Sequence, residues 1–119
     1  MTNPGTDPGT GTAPPPVVRL DIVLTLEHFA PLVGQTLQVV KEGYLPYPIT
    51  LISAEPLGRR ATAIPMTRPP FDLRFSGPGP GYLPQDLWAV EHPELGLIPL
   101  FLVPIGPKDG GFLYQALFN

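Results

Sequence analysis

Two short stretches hold residue types capable of acid–base or metal chemistry. Glu27-His28 sets an imidazole beside a carboxylate, the pairing a general base needs. No motif supplies a nucleophile for it, and adjacent residues on a helix point in different directions. The pair reads as a surface feature of a helix start. Glu91-His92-Pro93-Glu94 places two carboxylates around an imidazole, ligand types that suit a metal. In a strand Glu91 and His92 face opposite sides. The chain has only two histidines, so a three-ligand site would have to recruit Asp72 or Asp86. The expectation is instead that His92 ends a strand and bonds backbone in the turn at Pro93-Glu94-Leu95-Gly96. No catalytic residue, metal or cofactor is expected.

Other constellations carry less. Asp72, Asp86 and Glu91 lack the spacing of a glycosidase pair, and strand carboxylates usually face solvent. Gly77-Pro78-Gly79-Pro80-Gly81 looks like a phosphate loop. A phosphate cradle needs free N–H groups and a following helix, whereas Pro78 and Pro80 have no N–H and strand-like sequence follows. Arg59-Arg60-Ala61-Thr62 resembles a basophilic kinase target, a pattern frequent by chance. Tyr44, Tyr47, Phe71, Tyr82 and Trp88 have the character of a hydrophobic or sugar-stacking surface, though in a small β domain most such residues are core. If the domain is a barrel with an open interior, Phe71, Phe75, Trp88, Phe101 and Tyr114 would line it for an apolar small molecule. These five and His92 are the candidate interaction or pocket residues.

The elements that must position these residues follow from composition. The chain has 119 residues, one domain's worth, and no cysteine, which removes disulfides, thiolates and the usual structural zinc sites. Seven basic and ten acidic residues give a net charge of −3, and Arg59-Arg60 is the sole adjacent basic pair. A nucleic-acid groove needs clustered cations, so no nucleic-acid partner is expected. The longest apolar run, Leu95 to Val103, is broken by Gly96 and Pro99 and is far below the roughly 20 residues of a membrane helix. The N-terminus lacks the basic-then-apolar pattern of a secretory signal, so the cytoplasm is the expected location, with incorporation into an exported particle left open. Nineteen prolines and 13 glycines argue for short strands and tight turns rather than a helical bundle.

Residues 1–16 hold no side chain that can anchor to a core and read as a disordered Pro/Gly/Thr-rich leader; residues 17–119 read as a single β domain. Val17 to Leu24 is a first strand or an extended lead-in. Thr25 is placed to cap one or two helical turns that Gly34 ends, with Leu26, Phe29 and Leu32 or Val33 on one face as a plug across one end of the domain. Strands are predicted at Leu37 to Lys41, Pro46 to Ala54, Phe71 to Phe75, Leu87 to His92, Leu97 to Val103 and Phe112 to Phe118, with a short edge strand at Ala61 to Ile64. Phe71 to Phe75 alternates apolar with charged residues, so one face is buried and one wet. Pro99 requires an edge or a bulge, and Asp109-Gly110 is a turn. The fold class is mainly β: a small antiparallel barrel or sandwich of about six or seven short strands with one short helix near the N-terminus.

LTLEHFAPLVGQTLQV near the start, PPFDLRFSGP, LPQDLWAVEHPELGLIPLFLVPIGP and the terminal GFLYQALFN together resemble a family of small uncharacterised bacterial domains. The resemblance spans about residues 24 to 119, and the HP-x-LG and LFLVPIGP segments are the most specific parts. This chain departs at Asp86, where the family has Gly, and at Trp88, where it has Tyr. The family has no assigned activity and defines no catalytic residues. The resemblance implies the company of phage-tail-collar-like proteins, and hence a structural or assembly role. The expected function is a non-enzymatic structural or protein-interaction module with a protein partner or self-association, serving a phage-tail-like or surface-fibre assembly. The alternative is a barrel that binds an apolar small molecule. Leu97 to Val103 is apolar on both faces, and any exposed part of it would want a partner.

Overall fold

A computed structural model describes residues 17–58 and 68–119. Six strands follow one another: β1 (Thr36–Val40), β2 (Tyr47–Pro56), β3 (Phe71–Gly77), β4 (Asp86–His92), β5 (Gly96–Lys108) and β6 (Gly111–Phe118). They close into a barrel in the order β1-β2-β3-β6-β5-β4, every pair antiparallel. The fold is thus the barrel of the two predicted architectures. Val17 to Leu24 is a lead-in rather than a strand, tied to the barrel by one bond from the Arg19 N–H to the Leu97 carbonyl (2.7 Å). The predicted leader 1–16, the edge strand at Ala61 to Ile64 and Arg59-Arg60-Ala61-Thr62 lie outside the described residues.

Period-two patterning decides which side chains fill the barrel. Ile49 and Leu51 of β2, Phe71, Leu73 and Phe75 of β3, Ile98, Leu100 and Leu102 of β5, and Tyr114 of β6 are wholly buried. Each such side chain is worth roughly 1.5–3 kcal/mol of transfer free energy. The opposite face of β3 departs from the predicted wet surface. Asp72 is only 7% exposed. Its two oxygens accept from Arg74 Nε (3.0 Å) and from Gln115 Nε2 on β6 (2.8 Å), and those longer side chains cover it. Asp86, one of the two departures from the family pattern, opens β4 with no positive φ.

The prolines of β5 are accommodated by stagger. Residues 96–102 pair with β4, and residues 103–108 pair with β6. Because the Leu97 carbonyl accepts from Arg19, Leu97 turns its backbone away from β4. Pro99, two residues on, turns the same way, toward the side where the β6 ladder has not begun. Its missing N–H therefore leaves no ladder bond unmade. Further along, the register shifts between Pro104 and Gly106. The β5–β6 hairpin closes on Asp109 (φ 50°) and Gly110 (φ 82°), the paired positive φ of a type I′ turn.

The predicted plug is two 3₁₀ turns, Leu26–His28 and Ala30–Leu32, with Pro31 in the first turn of the second and Gly34 (φ 92°) ending it. Thr25 and His28 form a reciprocal capping box. Phe29 has no exposed surface. Its ring centroid lies 6.0 Å from Phe71, 6.1 Å from Phe118 and 5.6 Å from His92, so it closes the barrel mouth formed by the start of β3 and the ends of β4 and β6. Phe29→Ala is expected to cost about 3–4 kcal/mol in urea unfolding, the range for a fully buried aromatic. Val33→Ala, four residues on and 47% exposed, is expected to stay within about 0.5 kcal/mol.

Candidate functional site

The six candidate residues fall into three places. Phe71 and His92 sit at the plugged mouth. Phe71 stacks on Phe118 with centroids 4.4 Å apart, and the Arg68 guanidinium lies 5.0 Å from the Phe118 ring. His92 is buried and spends both ring nitrogens on backbone. Nδ1 accepts from the N–H groups of Glu94 (3.0 Å) and Leu95 (3.2 Å), holding the turn as the sequence predicts. Those two donors fix the tautomer, so Nε2 donates to the His28 carbonyl (2.7 Å) and fastens the plug. His28 in turn accepts the Thr25 N–H at Nδ1 (3.0 Å). The imidazoles are fasteners of the mouth.

Phe75 and Tyr114 lie inside, and Tyr114 reaches the foot of the barrel. Its hydroxyl accepts from the Leu83 N–H (2.8 Å) and sits 3.1 Å from the Tyr47 hydroxyl, which donates to the Pro78 carbonyl (2.6 Å). The Gly-Pro loop therefore packs on the foot instead of cradling an anion. Gly79 and Gly111 are required there by contact, because a Cβ on Gly79 would meet the Gly110 carbonyl and one on Gly111 the Gly77 carbonyl.

Trp88 is half-buried at the start of β4, its Nε1–H donating to the Pro84 carbonyl (3.0 Å). Lys41 Nζ lies 5.4 Å from the ring centroids of both Trp88 and Tyr44, a cation shared by two aromatic faces. Phe101 is a correction to the proposed interior lining. Leu100 and Leu102 take the inward positions of β5, so Phe101 faces out and is 48% exposed. Leu97 to Val103 is apolar on both faces, and its register is unreadable without its neighbours.

Outside the barrel, β4 and β5 set Leu87 opposite Phe101 and Ala89 opposite Pro99. Leu87 is 60% exposed. The β1–β4 ladder reaches Val40 opposite Ala89, so Lys41 and the exposed Tyr44 and Leu45 adjoin the same end of β4. Leu87, Leu45 and Lys41 were not among the sequence candidates. A signal for Leu87 was present: Glu91 marks the wet face of β4, and Leu87 and Ala89 share its parity. The result is an apolar outer face of Leu87 and Ala89 on β4 with Pro99 and Phe101 on β5, continued by Val40 of β1. Exposed contiguous surface of this kind marks interaction sites, and Trp, Tyr and Phe are the residues enriched in them.

The chain belongs to the family described as domain of unknown function DUF6916, which matches residues 24–118. No curated protein and no solved structure matches it. Among the described residues no helix is long and apolar enough to cross a membrane.

Burial, and next to it the bond to Tyr114, push the Tyr47 phenol above the usual tyrosine range. The neutral phenol is the form the fold favours. Its contribution is complete below the unfolded value near 10 and is lost as pH rises beyond it. Thermal melting between about pH 9 and pH 11.5 should show stability falling more steeply in the wild type than in Tyr47→Phe. At neutral pH the variant is expected to lose about 1 kcal/mol with its bond to Pro78.

Proposed function

We propose that this domain is a non-enzymatic structural and protein-interaction module of the cytoplasm that assembles through the outer face of β4 and β5. The observation that carries the reading is the exposed cross-strand pair Leu87 and Phe101. Outward positions on a barrel this small are where polar residues are least costly, yet here two large apolar side chains face water together. β4 and β5 are paired with each other along this face and flanked by β1 and β6, so contact there has to come from side chains rather than from a sheet edge. The employment of both histidines in fastening the plug supports a structural rather than a chemical role for them. The phage-tail-like or surface-fibre setting belongs to the proposal through the family resemblance. The apolar-ligand reading finds less support, since Phe71, Phe75 and Tyr114 pack into the interior that such a ligand would occupy.

Light scattering on the full chain tests the reading. The wild type is expected to give a stable oligomer, and Leu87→Glu with Phe101→Glu a monomer whose unfolding free energy lies within about 1 kcal/mol of wild type, as suits outward positions. A wild-type monomer at concentrations up to about 1 mM, where even weak association shows, would overturn assembly through this face.

A further inference from the structure

At the plugged mouth, β1 and β4 separate early. Their ladder runs from Val40 opposite Ala89 to Gln38 opposite Glu91 and stops. Continued in register, it would set Thr36 opposite Pro93, which has no N–H to offer. The direction of the Thr36 backbone follows from its neighbours. The Leu51 N–H donates to the Gln35 carbonyl (3.0 Å), so Gln35 faces β2. Successive strand residues alternate, so the N–H and C=O of Thr36 face the β4 side. Only its hydroxyl turns to β2, 2.9 Å from that of Thr50. Among the described residues neither backbone group of Thr36 has a partner there.

Those two groups open into a groove of about 580 Å³ lined by Gln35, Gln38 and Glu91 with the apolar Val17, Pro93 and Leu97. Glu91 is exposed and makes no ion pair among the described residues. Arg19, which bonds to Leu97, already has Asp21 as its partner (3.1 Å). The groove therefore offers one donor, one acceptor, an apolar wall and an uncompensated negative charge.

We propose that this gap docks an extended segment of a partner protein that carries a lysine or arginine. The segment exchanges an N–H···O pair with Thr36, as an added strand does. Its apolar side chains rest on Val17, Pro93 and Leu97, and its cation meets Glu91. Charge selects a basic segment, because the chain carries a net −3 and among the described residues no cation lines the groove. The site is at the opposite end of β4 from Leu87, so it goes beyond the assembly face and is independent of it.

The test is a titration of the ¹⁵N-labelled full chain with the blocked peptide Ac-Val-Arg-Val-Thr-NH₂ and its glutamate counterpart. The expected result is a saturable shift of the Thr36, Gln38 and Glu91 amides with the arginine peptide. Affinity falls about threefold or more in Glu91→Gln. Binding is lost in Thr36→Pro, which removes the N–H and the hydroxyl contact to Thr50 but no backbone bond to β2. Should Thr36→Pro misfold by its own spectrum, Glu91→Gln carries the test. No saturable shift up to about 5 mM peptide, equal binding of the glutamate peptide, or an unchanged affinity in Glu91→Gln overturns the site. So do shifts at Thr36 on concentrating the protein alone, which would make a second copy the occupant. Shifts centred on Leu87 and Phe101 overturn this site and leave the assembly face standing, and a monomeric wild type overturns that face and leaves this site standing.

Discussion

Closing a six-stranded barrel in a chain with nineteen prolines is the constraint on which the rest of this structure depends. Each strand residue must turn its N–H toward a neighbour or toward a place where none is needed, and proline cannot serve the first purpose. β5 meets the constraint by dividing its length, its first half bonded to β4 and its second to β6. The stagger gives Pro99 a side with no ladder to break. It also leaves the Leu97 carbonyl for the lead-in, which the Arg19 N–H claims. Pro93 has the opposite effect, ending the β1–β4 ladder and leaving a gap at the mouth.

Both ends of the barrel are then sealed by different chemistry. The mouth is closed by an aromatic plug that has too few turns to hold itself together. Its stability comes from Phe29 among Phe71, Phe118 and His92, and from the His92 bond to the His28 carbonyl. The foot is closed by hydroxyls, with Tyr47 and Tyr114 reaching the backbone of the Gly-Pro loop. Each seal uses polar groups that burial leaves no other partner for, so the ends are specified in register as well as in packing.

Much of this was legible in the residues. Alternation in Phe71 to Phe75 marked its inward face, Asp109-Gly110 the hairpin, Thr25 and Gly34 the plug, and His92 its turn. The misses share a cause, because each depends on a neighbour that one strand's pattern does not contain. Asp72 reads as wet until Gln115 arrives from β6. Phe101 reads as interior because both faces of its strand are apolar. The contact of Lys41 with Tyr44 and Trp88 needs the β1–β4 pairing, which joins residues far apart in the chain. The family match fixes kinship over residues 24–118 and brings no chemistry with it, so the functional reading rests on surfaces.

The central claim is that the β4–β5 outer face is covered by protein when the domain is at work. Methyl NMR with a soluble gadolinium chelate addresses it directly, using Leu87 as the probe and Leu117, 50% exposed on the outer face of β6, as the control. As protein concentration rises, the account predicts that the Leu87 methyls become shielded from the chelate while those of Leu117 stay accessible. Equal accessibility of both at every concentration would contradict it.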